Sequence, residues 1–237
     1  VARDGAHWAP VAVQAVDGVT ESILETSWIV PRAEVAGWIA TGEGAFPPTD
    51  GNDVRLLIDN EVGWAAVLDA VNGARESIHF LLFFLDVGHT FLAFGADPQV
   101  RYTLEDALRQ AAERGVAVRL LLNDFPTRFT DTATAVEAAL RDVPGVETRR
   151  FVVKVAPIHA KLLIVDRLDP DRASACIIGS PFVQDYFSGP DHSLHDARHG
   201  PRRFPQKQLD VPIHEVSLAM RGPAIGEVGA RRIREMD

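Results

Sequence analysis

His159-Ala160-Lys161-Leu162-Leu163-Ile164-Val165-Asp166 puts an imidazole, an ammonium and a carboxylate on one short apolar run, and Gly179-Ser180 follows thirteen residues after it. The run reads as a buried strand, Lys161 to Val165, and Ala173 to Gly179 reads as a second, joined to it by the polar turn Arg167 to Arg172. Residues two apart on a strand share a face, so His159 and Lys161 point together while Ala160 and Leu162 turn into packing. Such a face is an anion site with a nucleophile in it. Lysine attracts phosphate oxygens as a point charge. A neutral imidazole nitrogen can attack phosphorus and form a covalent intermediate, dividing one hard displacement into two easier ones. A carboxylate accepting from the other ring nitrogen would fix the tautomer. Gly179 would let a backbone approach a phosphate, and Ser180 would add a hydroxyl donor.

The pattern His-x-Lys-x4-Asp is specific here. The chain has 21 arginines but only three lysines, Lys154, Lys161 and Lys207. With its contents of His, Lys and Asp the pattern is expected by chance roughly 0.01 times.

Outward from the motif, strand and helix alternate at short spacing. Val54 to Ile58, Ser77 to Leu85, Val116 to Leu122, Val146 to Val155 and Val216 to Met220 read as strands. Glu61 to Glu76, Thr103 to Arg114 and Thr132 to Arg141 read as helices, the first with Trp64, Val67, Leu68 and Val71 on one face. Gly115 is placed to cap the second. Ala224 to Met236 reads as a last helix that stops at Asp237 without a cap. This order predicts an α/β domain, layered αβα, with a largely parallel or mixed central sheet flanked by helices. Gly42, Gly44, Pro47, Pro48 and Gly51 form a breaker cluster, so a boundary is expected there. It separates residues 1–50, partly helical by the loose spacing over Val11 to Val30, from a catalytic unit at 51–237. Residues 185 to 211 are polar and read as a long loop near the pocket mouth.

The bulk chemistry narrows the partners. A net charge of −9 argues against a broad nucleic-acid surface. No apolar run reaches the roughly 18 residues that span a bilayer, so membrane contact is at most peripheral. The single cysteine, Cys176, excludes an intrachain disulfide and reads as a small buried hydrophobe. The chain begins at Val1 with no basic-then-apolar leader; a soluble protein is expected, secreted if a leader has been removed.

The motif and its Gly-Ser partner resemble the phospholipase D superfamily, over about residues 53 to 237. Ala74 to Ile78, the Ala111-Ala112-Glu113-Arg114-Gly115-Val116 step, and His214-Glu215-Val216-Ser217 with Gly222-Pro223-Ala224 are similar to segments of that family. Gly179-Ser180-Pro181-Phe182 and Tyr186-Phe187 resemble a lipase-like branch more than the nuclease branch. The resemblance implies His159 as the nucleophile, Lys161 as the phosphate ligand, and Asp166 as a mainly structural member of the catalytic motif. It also implies Glu215 as the acid that accepts from His159's second nitrogen, and no metal or other cofactor. Ser180, Gln184, His214 and Gly179 are the expected substrate-binding residues. Many members carry Asn where Phe182 stands, and Gln184 is the nearest amide. The implied activity is a phospholipase D-type phosphodiesterase producing phosphatidic acid or transferring the phosphatidyl group. A nuclease of the same superfamily and a non-catalytic half that completes a partner's site are the alternatives.

The family uses two motifs, and this sequence has one. A second half is therefore expected, as a separate chain of a cleaved or split protein, which the stop at Asp237 favours, or as a homodimer mate. His192, His195 and His199 are spaced three and four apart, but Pro190, Gly200 and Pro201 flank them, which favours a loop over a metal site. His79 reads as a core histidine. Phe80, Phe83 and Phe84 read as core.

Overall fold

The computed structural model describes residues 8–10, 26–28, 49–95, 100–124, 132–152, 159–193, 195–199 and 213–226. The chain divides into two compact units, residues 1–49 and 50–237, at the end of the Gly/Pro cluster. In the first unit, β1 (Trp8–Pro10) pairs antiparallel with β2 (Thr26–Trp28), Trp8 opposite Trp28. The helical spacing read over Val11 to Val30 thus fails at its end, where a β-branched and an aromatic residue favour a paired strand. Residues 11–25 and 29–48 lie outside the described residues.

The second unit holds β3 (Asp53–Ile58), α1 (Asn60–Gly73), β4 (Ser77–Leu82), β5 (Phe91–Phe94), β6 (Arg101–Thr103), α2 (Leu104–Glu113), β7 (Ala117–Asn123), α3 (Thr132–Leu140), β8 (Val146–Phe151), β9 (Leu162–Val165), β10 (Ser174–Ile177) and β11 (Val216–Arg221). Seven strands form one sheet in the order β3-β11-β10-β9-β4-β7-β8. Only β4–β7 and β7–β8 are parallel; the other four pairings are antiparallel. The domain is α/β with a mixed sheet. The parallel part is confined to the strands joined through α2 and α3, because the motif strands β9 and β10 are linked by a turn too short for a crossover.

Strand alternation divides the packing. Phe80 and Leu82 of β4, Val118, Leu120 and Leu122 of β7, and Leu163 and Val165 of β9 face the stripes of α1, α2 and α3 in one core. Leu81, Leu121, Ile164 and Ala175 face the other way, with Ile225 from the helical turn at 224–226. The remainder of the expected last helix lies outside the described residues. Each fully buried side chain of this kind stabilises the fold by about 1.5–3 kcal/mol. Thr103 caps α2 by accepting from the Asp106 amide at 3.2 Å, and Gly115, at φ 89°, ends it.

Two expectations shift. β4 ends at Leu82 rather than Leu85, because Leu85 leaves the sheet to pair with Phe182, whose amide donates to the Phe84 carbonyl at 3.0 Å. The β5–β6 hairpin went unforeseen; its strands are short and its alternation weak.

Candidate active site

Register decides which residues meet. Leu162 lies opposite both Leu81 and Ile177, and Val216 opposite Ile58. The carboxyl ends of β3, β4, β7, β8 and β10 therefore share one end of the sheet with the amino ends of β9 and β11. His159, Lys161, Gly179, Ser180, His214 and Glu215 all fall there, in the position where open α/β sheets hold ligands.

Phe83, just past β4, is the wall that joins the first two. His159 is exposed and its ring meets Phe83 edge-on at 4.4 Å. Lys161 is 6% exposed, its Nζ 5.1 Å from the Phe83 ring centre and donating to the His159 carbonyl at 3.4 Å. Of the three phenylalanines, Phe80 and Phe84 are core, while Phe83 is half-buried in the site. Sequence reasoning missed it; its signal was its place directly after a central strand.

Burial, then the Lys161 charge, lowers the His159 imidazole below its ordinary value of 6.5, and Glu215 opposes the shift. Burial also lowers the Lys161 ammonium from 10.5, again opposed by Glu215. The His159 direction favours the neutral imidazole; the Lys161 direction works against its charge, and Glu215 offsets it. A lowered histidine stays deprotonated further into acid, so the acidic limb of kcat/KM should fall below pH 6.5. Lys161→Met should move that limb upward, with a pH–rate profile as the measurement.

Gly179 serves Glu215. A Cβ at 179 would stand 2.7 Å from the Val216 carbonyl and 2.9 Å from Glu215 Oε2. The missing side chain thus admits the head of β11. Among the described residues no hydrogen bond joins Glu215 to His159; their coupling is through charge.

Ser180 is fully buried, donating to Asn60 Oδ1 at 2.8 Å and accepting from Trp64 Nε1 at 3.2 Å. Its hydroxyl fastens the Gly-Ser turn to α1 and is spent there. Asn60 in turn donates to the Tyr186 carbonyl. Gln184, expected at the substrate, is 3% exposed with both amide ends engaged: Oε1 accepts from the Phe91 amide at 2.7 Å and Nε2 donates to the Arg198 carbonyl at 2.6 Å. It is a staple between β5 and the long loop. Phe182 packs between Trp64 and Phe80, so the side chain in that slot is apolar and offers no amide. His214 turns the other way from Glu215, its Nδ1 2.5 Å from Asp59 Oδ1.

Asp166 lies at the opposite end of the sheet, five residues or roughly 16 Å along the strand from Lys161. Its Oδ1 accepts from the amides of Arg75, Glu76 and Ser77 at 3.2, 2.7 and 3.0 Å, and Oδ2 from Arg75 at 3.0 Å. It organises the start of β4 and touches no reacting group.

The described part of the long loop is pinned. Arg198 bonds Glu61 at 2.7 Å and Asp196 at 2.8 Å, and Ser188 Oγ donates to the Ile213 carbonyl at 2.9 Å. His195 is exposed and His199 Nδ1 lies 3.3 Å from the Phe187 carbonyl, so the three loop histidines do not converge. His79 is buried beside Arg119. Burial pushes the Cys176 thiol up to about 11, in keeping with an inert core residue. A cavity of about 470 Å³ opens at the Asp166 end, lined by Asp53, Arg55, Asp69 and Arg172, away from the motif histidine. Among the described residues no helix is long and apolar enough to cross a membrane.

The family described as cardiolipin synthase, PLD-like domain, matches residues 67–181. No curated protein matches the chain. Among solved structures, NucT from Helicobacter pylori is similar at 11% identity with a TM-score of 0.51, covering 78% of this chain and 96% of its own. Nuc from Salmonella typhimurium, a phospholipase D family member, is similar at 15% identity with a TM-score of 0.47, covering 78% and 94%. Residues 67–181, which hold the motif and its Gly-Ser partner at the shared end of a mixed α/β sheet, are thus similar to the PLD-like domain of the phospholipase D superfamily.

Proposed function

We propose that this chain supplies half of a phospholipase D-type site that cleaves phospholipids through a phosphohistidine. The observation that carries the reading is the pairing of an exposed His159 with a buried Lys161 on the Phe83 wall, both coupled to Glu215. His159's neutral nitrogen attacks phosphorus while Lys161 draws charge from the phosphate oxygens. The bond from phosphorus to the head-group oxygen breaks, and the leaving alcohol takes a proton from a histidine of a second half. Water, or another alcohol, then attacks the phosphohistidine and releases phosphatidic acid or a phosphatidyl ester, restoring His159. The second half is a separate chain or a twofold mate carrying its own motif.

The acidic balance of −9 and the apolar Phe83 wall support a lipid over a polyanion. The assembled protein, given phosphatidylcholine vesicles and excess primary alcohol, should yield the phosphatidyl ester of that alcohol, read by mass spectrometry. Cleavage of a single-stranded oligonucleotide with no lipid product would assign a nuclease instead.

A further inference from the structure

A second cluster lies on the other side of the 214–215 peptide from His159. Asp59 lies between β3 and α1, His214 precedes β11, and His192 comes from the loop after the turn at Gln184–Tyr186. The Asp59 side chain is 2% exposed, with Oδ1 2.5 Å from His214 Nδ1 and 3.8 Å from His192 Nδ1. The two imidazoles meet edge to face at 4.6 Å, and one donor atom from each of the three residues lies within 4.8 Å of the others.

We propose that Asp59, His192 and His214 form a binding site for a late first-row divalent cation of the Zn²⁺ class.

Three features carry it. The donor set is two imidazole nitrogens and one carboxylate, which suits zinc, nickel, cobalt or copper and not the oxygen-seeking magnesium or calcium. Tetrahedral coordination near 2.1 Å spaces donors by about 3.4 Å. The two distances to Asp59 bracket that value, the histidine side chains are 54% and 56% exposed, and three donors leave the fourth tetrahedral position open. Asp59 also forgoes the usual use of an aspartate in its place. It is the N-cap of α1, yet makes no side-chain cap bond, and at φ 68° and ψ 154° it turns its carboxylate to the imidazoles. His192 is held at φ 49°, so two of the three non-glycine residues at positive φ among the described residues belong to this cluster. Such backbone is retained where the surroundings demand it.

The site does not depend on His159's chemistry. It does reach the first site: the Asp59 amide donates to the Glu215 carbonyl at 2.9 Å, so a cation on His214 clamps the head of β11 that carries Glu215.

The test uses the untagged full chain, titrated with Zn²⁺ by calorimetry and with Co²⁺ by ligand-field absorption. One saturable equivalent is expected, with imidazole-type Co²⁺ bands. His192→Ala and His214→Ala should each weaken binding at least about tenfold, and His192→Ala, whose Nδ1 is 3.8 Å from Asp59, should leave the thermal midpoint of the metal-free protein unchanged. His195→Ala and His159→Ala should leave it intact. Absence of a saturable equivalent, or loss of binding on His195→Ala or His159→Ala while the two cluster variants still bind, overturns the assignment.

Discussion

His159→Ala in the assembled protein should abolish phosphodiester turnover, a fall of roughly 10³–10⁶-fold in kcat, the range found when a covalent nucleophile is removed. The size follows from the route. Without the imidazole nitrogen there is no covalent intermediate, and water must displace the alcohol directly. Lys161 and Glu215 remain, so substrate should still bind and KM should change little. The variant should fold as the parent does, because His159 is exposed and its ring meets Phe83 only edge-on, at 4.4 Å. The measurement is steady-state turnover of phosphatidylcholine beside a thermal melt of both proteins. Turnover within tenfold of the parent would remove His159 from the chemistry. The proposed route needs a second half with its own histidine, so turnover should depend on assembly.

The second large effect is on stability. Asp166→Ala should lower the free energy of unfolding by about 2–4 kcal/mol, since it strips the acceptor from three backbone amides at once. Those amides, at Arg75, Glu76 and Ser77, lead into the central strand β4. A second cost arises because alanine is poorly suited to the φ of 48° that Asp166 adopts. Asp166→Asn keeps one acceptor oxygen and tolerates that φ, so it should lose about half as much. Urea denaturation reads both. Turnover per folded molecule should be unchanged in the Asn variant, because Asp166 sits at the far end of the strand. A loss of kcat with full stability would instead tie it to the chemistry.

The motif was legible because its information is local. His159 and Lys161 stand two apart just ahead of β9 and meet on the Phe83 wall, and the turn chemistry of Gly115 is local too. The helices were legible from their stripes: Trp64, Val67, Leu68 and Val71 all reach the core as their spacing requires. Substrate contacts were less legible. Gln184, Ser180 and Gly179 carry the right groups, but a sequence shows no partners. Phe91, Arg198, Asn60, Trp64 and Glu215 lie far off along the chain, and they take up the amide, the hydroxyl and the space.

The sequence by itself determined the α/β class, the single motif and the closeness of an imidazole to an ammonium, since each follows from residue type and spacing along the chain. The tertiary structure alone decided strand order and register, and with them everything that depends on distance. Register set Glu215 near His159 and Lys161, sent Asp166 to the other end of the sheet, and closed Asp59, His192 and His214 into one cluster. Long-range pairing is settled by which backbone groups and apolar faces satisfy one another in three dimensions, and no local pattern records that.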